Sequence, residues 1–237
     1  MRHYGIIGYP LEHSFSAKYF NEKFAAEHID AEYSLYPVSE AEIARLKEYI
    51  DTLDGMNITF PYKRAVIPYL ERLDATAQAI GAVNVVHRHV GYNTDCIGFI
   101  QAIQPLLRPD DRKALVLGTG GASKAVCYGL RQLGITPTLV SRTPQDGQIG
   151  YSDLDADIMA QHTMIINCTP LGMLPDTDTC SPIPYEHISA QHLLFDCVYN
   201  PEETLFLRKG KAQGAATHNG MQMLIGQAKA AWEIWSN

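Results

Sequence analysis

The residues able to do chemistry fall in short polar clusters at the ends of apolar runs. Asn57-Ile58-Thr59-Phe60-Pro61-Tyr62-Lys63 closes one such run on a proline and sets a lysine in the turn beyond it. An ammonium there could stabilise charge growing on an oxygen and transfer a proton, although most lysines are solvated surface charges. Asn93-Thr94-Asp95-Cys96-Ile97-Gly98 places an aspartate at a helix start, where it either caps the helix or binds a hydroxyl. Ser14 and Ser16 stand at another helix start. They either cap that helix or hold a carboxylate together with its N-terminal dipole. Asn84, in Gly81-Ala82-Val83-Asn84, is either a turn residue or a hydroxyl binder, and His13 reads as a loop histidine.

A second kind of cluster is rich in glycine. Gly118-Thr119-Gly120-Gly121-Ala122-Ser123-Lys124-Ala125 follows an apolar strand and opens a helix. Such a loop receives a pyrophosphate: Gly118 turns tightly, Gly120 lets the backbone approach, and the helix N-terminus offers free N–H groups. Glycine turns of this kind also serve packing alone, and Ser123 stands where the fingerprint has its third glycine. An acidic residue about 20 positions on would hold the ribose of NAD. Here the segment is Ser141-Arg142-Thr143. Arg142 is a permanent planar cation suited to a 2′-phosphate, which points to NADP. Ser141 and Thr143 add hydroxyls, and Lys124 adds charge nearby. The alternative is a plain surface arginine.

Two α/β lobes are needed to hold these clusters. In the first lobe, strands are expected at 4–8, 33–38 and 55–59 and helices at 16–28 and 39–50, the latter opened by a capping box at Ser39. A hairpin-like pair follows at 83–87 and 90–92, with His87 and His89 flanking Arg88 in a strand, and then a helix from Asp95 to 107. In the second lobe, strands are expected at 114–117, 138–141, 164–167 and 193–198, and a helix at 122–133. A last helix, 221–235, carries an apolar face that includes Trp232 and Trp235, with Asn219 as its cap. Stretches 143–150 and 172–184 read as irregular. The fold class is α/β, with a mostly parallel sheet in the first lobe and a Rossmann-like second lobe.

Composition narrows the partners. The 237 residues carry 19 Lys+Arg against 26 Asp+Glu, a net charge of −7, which lacks the basic footprint of a nucleic-acid binder. Hydrophobic residues at 46% and charged residues at 19% are globular values. No apolar run reaches the ~20 residues of a membrane span, and the N-terminal apolar stretch is too short for a signal peptide. Five scattered cysteines without a CxxC pair read as reduced thiols of a cytoplasmic protein. Nine histidines form no zinc-type spacing, so no metal is expected.

Taken in order along the chain, these pieces resemble the shikimate dehydrogenase (shikimate/quinate dehydrogenase) family. The resemblance rests on Ser14 and Ser16; on Asn57, Thr59, Pro61 and Lys63; on Gly81–Asn84 and Asn93–Gly98; and on the loop from Gly118 to Ala125. It extends to Ser141–Thr143, Ile166–Met173, Asp196–Pro201 and Asn219–Gln227. It implies reversible NADPH-dependent reduction of 3-dehydroshikimate to shikimate, on the route to chorismate and the aromatic amino acids. The two lobes, 1–97 plus 219–237 for substrate binding and 98–218 for the dinucleotide, would flank a cleft, with the last helix returning to the first lobe. By resemblance, Lys63 and Asp95 are catalytic, Asp95 orienting Lys63. Ser14 and Ser16 hold the carboxylate; Thr59, Lys63, Asn84, Asp95 and Gln227 hold ring hydroxyls; Tyr199 lies close to the substrate. Gly118, Gly120, Gly121, Ala122, Ser141, Arg142 and Thr143 hold the adenosine side of NADP. Cys197 (through its backbone), Gly220 and Met223 meet the nicotinamide. The expected state is monomer or homodimer. One departure is that 143–150 carries no second basic residue. This keeps an NAD-using quinate/shikimate enzyme as the alternative, with a non-catalytic shikimate-binding regulator as a remote one.

Overall fold

The computed structural model describes residues 1–12 and 14–237, so His13 lies outside the described residues. The chain divides into two units, Met1–Thr94 with Ala228–Asn237, and Asp95–Gln227. Among the described residues, no helix is long and apolar enough to cross a membrane.

In the first unit the elements run β1 (Arg2–Gly8), α1 (Phe15–Ala26), β2 (Ala31–Pro37), α2 (Arg45–Thr52), β3 (Gly55–Ile58), β4 (Arg72–Leu73), α3 (Ala75–Ile80), β5 (Val85–His87) and β6 (Val90–Tyr92). The sheet order is β2-β1-β3-β5-β6-β4. β1 is parallel to β2 and β3, and β4 to β6, while β5 runs antiparallel to both neighbours. Alternation along β1 sorts its side chains to two faces. Tyr4 and Ile6 pack with Phe20, Phe24 and Tyr33, whereas Ile7 packs with Leu46, Ile50, Met56 and Tyr62. Both faces are thus covered, which explains the nearly unbroken apolar run of β1.

The helix expected over 39–50 is split. Glu42 accepts from the Ser39 backbone N–H at 3.2 Å, closing the expected capping box on a short 3-10 turn, and α2 starts only at Arg45. Arg88 and His89 are not in a strand. Their φ values of 48° and 62° make them the left-handed turn that joins β5 to β6.

In the second unit the order is α4 (Asp95–Ile103), β7 (Lys113–Leu117), α5 (Gly121–Gln132), β8 (Thr136–Ser141), β9 (Gln148–Gly150), α6 (Ala156–Gln161), β10 (Met164–Asn167), β11 (Leu193–Asp196), α7 (Leu205–Ala212), β12 (Ala216–His218) and α8 (Met221–Ser236). Helix α4 stops at Ile103 rather than 107, and Pro105 in the following 3-10 turn has no N–H to continue it. The sheet is parallel throughout, in the order β12-β11-β10-β7-β8-β9. The chain winds outward one way from β7 and the other way from β10, so those two central strands form the switch point of a Rossmann-like sheet. Strand β9 takes the end of the stretch read as irregular, and β11 ends two residues earlier than expected.

Helix α8 supplies both units. Its Met223 is in the core of the second unit with Phe99 and Phe195. Its Ala228, Ala231 and Trp235 lie in the first unit's core, where the Trp235 indole donates to the Val86 carbonyl at 3.3 Å.

Candidate active site

The first unit gathers its polar residues at the carboxyl ends of β1 and β3. Thr59 N–H donates to the Ile7 carbonyl, and Tyr9 N–H to that of Phe60. The two loops approach so closely that a Cβ on Gly8 would stand 2.3 Å from Thr59 Cγ2. The turn from Thr59 to Tyr62 then delivers Lys63. Tyr62 N–H donates to the Thr59 carbonyl, and the Lys63 carbonyl accepts from Val83 N–H at 2.7 Å. Tyr62 is buried, with its hydroxyl on the Val38 carbonyl. Lys63 and Thr59 are half-buried. The backbone beneath the ammonium is therefore anchored on both sides, which is what a positioned cation requires.

Asn84 is buried between the same elements. Its backbone N–H donates to the Tyr92 carbonyl, and its carbonyl accepts from Ile58 N–H. Its side chain pairs with Thr94. Ser14 caps α1 by accepting from Ser16 N–H at 3.1 Å, so the capping reading holds for it. Ser16 is buried and bonds to Tyr33, whose hydroxyl donates to Asn57 Oδ1 at 2.6 Å. Burial drives the Tyr33 phenol well above its ordinary range, so it stays a neutral donor. Asn57 stood in the sequence motif that ends at Lys63 but with no role assigned, and Tyr33 was not singled out. Only the apolar pattern of β2 marked Tyr33, and it gives no hint of a polar partner.

The second unit places the glycine loop at its switch point. Gly118 has φ +102°, and its N–H donates to the Val140 carbonyl. A Cβ there would lie 3.1 Å from Thr169 and 3.4 Å from the Cys168 carbonyl, at the end of β10. Gly120 is the N-cap of α5, and a Cβ built on it meets nothing within 4 Å. Open space before the free N–H groups of a 12-residue helix fits a pyrophosphate. Ser123 is buried and donates to the Gly120 carbonyl at 2.7 Å, so the residue that replaces the third glycine ties the loop to its helix. Gly121, Ala122 and Lys124 are half-buried on the first turn. Next to β7, Ser141 is buried and accepts from Thr143 N–H at 3.2 Å. That bond turns the chain at the end of β8 and leaves Arg142 and Thr143 exposed.

At the end of β11 a buried carboxylate organises the chain. Asp196 accepts from Asn167 Nδ2 at 2.9 Å, Thr204 Oγ1 at 2.6 Å and Val198 N–H at 3.0 Å. Burial outweighs these donors and pushes its carboxyl up to about 6. The frame sets the course of Cys197, Val198 and Tyr199, and burial likewise raises the Tyr199 phenol. Gly220 N–H donates to the Val198 carbonyl, and a Cβ on Gly220 would stand 2.3 Å from the Cys197 carbonyl. Helices α4 and α8 approach as closely: a Cβ on Gly98 would lie 2.3 Å from the Met223 carbonyl and 2.7 Å from Gln227 N. Asp95, the first residue inside α4 rather than its cap, is buried, as are Met223 and Gln227. Lys63 belongs to the first unit and Asp95 to the second. Among the described residues, no three His, Cys, Asp or Glu side chains form a metal-binding group.

Residues 6–86 match the family model described as the shikimate dehydrogenase substrate binding domain. The chain is 35% identical to a curated shikimate dehydrogenase (NADP(+)) of Methanosphaera stadtmanae, covering 98% of this chain and 90% of that one. It belongs to the shikimate dehydrogenase family. Among solved members, the shikimate 5-dehydrogenase of Thermus thermophilus in complex with NADP(H) and shikimate superposes with a TM-score of 0.88 at 31% identity, covering 100% of this chain and 94% of that one. A shikimate 5-dehydrogenase of Listeria monocytogenes in complex with shikimate and NAD superposes with a TM-score of 0.86 at 25% identity, over 100% and 92% of the two chains. Family membership accounts for the two α/β units and for the glycine loop at the switch point of the second.

Proposed function

We propose that this chain is an NADPH-dependent shikimate dehydrogenase that reduces 3-dehydroshikimate to shikimate and runs reversibly. The observation that carries the reading is 35% identity to a shikimate dehydrogenase (NADP(+)) across 98% of the chain. The first unit is the substrate domain and the second the NADP domain. Gly118, Gly120, Gly121 and Ala122 hold the pyrophosphate at the α5 N-terminus. Ser141, Arg142 and Thr143 hold the 2′-phosphorylated ribose, and Cys197 (backbone), Gly220 and Met223 line the nicotinamide. The cofactor, when bound, supplies or accepts the hydride.

The protein's own task is the charge on oxygen. As the substrate carbonyl is reduced, negative charge grows on its oxygen, and the Lys63 ammonium stabilises that charge more in the transition state than in the ground state. Lys63 then gives up a proton to that oxygen, and it takes one back in the oxidative direction. Asp95 accepts a hydrogen bond from the neighbouring ring hydroxyl. Thr59, Asn84 and Gln227 bond the remaining hydroxyls, Tyr199 closes on the ring, and Ser14 and Ser16 hold the carboxylate. Five free thiols fit work in the reducing cytoplasm. A second reading, NAD in place of NADP, is favoured by one observation: Arg142 is followed by no other basic residue before β9, and Asp146 is exposed there. Incubation with 3-dehydroshikimate and NADPH, followed by chromatography, tests the proposal. Shikimate is the expected product, and its absence refutes the activity.

A further inference from the structure

Cys168 and Cys197 are each the first residue beyond a strand of the second unit, β10 and β11. The strands are parallel with Asn167 opposite Asp196, and Cys197 N–H donates to the Asn167 carbonyl at 2.9 Å, which carries the register one residue further. Both cysteines therefore leave the sheet on one face. They pack against the same core cluster, and their sulfurs stand 3.7 Å apart. Neighbouring strands lie about 4.8 Å apart, inside the range of Cα separations that disulfides span. The buried Asp196–Asn167 bond fixes both backbones just before the pair. Both side chains are half-buried, within reach of a small oxidant.

We propose that Cys168 and Cys197 form a reversible disulfide when the protein meets a peroxide, and that this bond switches the cofactor site off. The second clause rests on the NADP reading above. Cys197 sulfur attacks a peroxide oxygen, the O–O bond breaks, and the departing hydroxide takes up the Cys197 proton and leaves as water, giving a sulfenic acid. Cys168 sulfur then attacks the Cys197 sulfur, an S–S bond forms, and water departs with the Cys168 proton. In total, two thiols and one hydrogen peroxide give one disulfide and two waters. The Cys168 thiol is held well above its ordinary range by the Cys197 sulfur and by burial. A dithiol reverses the change.

The bond would shorten the 3.7 Å separation to about 2.05 Å. Two backbones of the cofactor site bear directly on the pair: Gly118 on the Cys168 carbonyl and Gly220 on the Cys197 carbonyl. A misplacement of about 1 Å in such a site costs about 10²-fold in turnover.

The test treats the full chain with hydrogen peroxide, denatures it in N-ethylmaleimide, and counts and maps the thiols. The expected loss is two of the five thiols, with one linked peptide pair joining Cys168 to Cys197. Cys127→Ser keeps the link and Cys168→Ser abolishes it. Five free thiols, a link to Cys127, or Cys197 oxidised to sulfinic acid without a link would overturn the disulfide. These readouts need no substrate, so they stand apart from the activity reading. Turnover with NADP⁺ and shikimate should fall about 10²-fold on linking and return with dithiothreitol. A linked chain with unchanged turnover overturns the switch.

Discussion

Asn84 and Thr94 grip each other through side chain and main chain at once. Asn84 Oδ1 accepts from Thr94 N–H at 2.7 Å, and Asn84 Nδ2 donates to Thr94 Oγ1 at 3.0 Å. Both residues are buried. The pair fixes the rotamer of a proposed substrate residue and joins β5 to the segment just before α4. Thr94→Val keeps the shape and the backbone bond but removes the acceptor. We expect a loss of about 1–3 kcal/mol in urea unfolding and a raised KM for shikimate. Unchanged stability and KM would show that Asn84 is held without Thr94.

Lys63→Ala removes a cation, the proposed proton carrier, from a turn whose backbone is anchored independently by Tyr62 and Val83. Turnover should fall about 10²–10⁴-fold while shikimate binding is mostly kept. Steady-state kinetics with a calorimetric Kd read this directly, and near-normal kcat would remove Lys63 from the chemistry.

Arg142→Ala leaves β8 and its Ser141–Thr143 turn intact, because the Arg142 side chain is exposed. Loss of a charge-assisted bond of about 1.5–3 kcal/mol should weaken NADPH about 10- to 100-fold. NADH should weaken little. Fluorescence titration with both nucleotides decides the point, and equal weakening would place the 2′-phosphate elsewhere.

Asp196 gives the second unit a pH dependence of opposite sign to that of a salt-bridged carboxylate. Its carboxyl titrates near 6 when buried, against 3.8 for the free group. Between those values the folded chain binds more protons than the unfolded one, so its contribution to stability falls as pH rises through the window, by about 3 kcal/mol in all. Asp196→Asn removes that dependence and loses hydrogen bonds at every pH. Its deficit against wild type in urea should be larger near pH 4.5 than near pH 7.5. An equal deficit at both would mean that Asp196 titrates normally.

Much of this was legible in the sequence, and the gaps have physical causes. Apolar patterning located β1 and β10 as short apolar runs and α5 and α8 as helices with an apolar face. It passed over β9, β12 and α3, which are too short to show a period, and it read Arg88 and His89 as strand although their backbone makes the turn. The glycine loop and Arg142 were recognisable because phosphate binding demands particular residue types at the ends of particular strands. The frame of Asp196, Asn167 and Thr204 was not, because a hydrogen-bonded core group leaves no local pattern and its partners lie 29 and 8 residues away. The bond from Ser16 to Tyr33 was hidden for the same reason.

The most direct test of the central claim is the initial rate of reduced-nucleotide absorbance when the purified chain meets each pairing of NADP⁺ or NAD⁺ with shikimate or quinate. The account predicts the fastest rate with NADP⁺ and shikimate. No reduction with any of the pairings would contradict it.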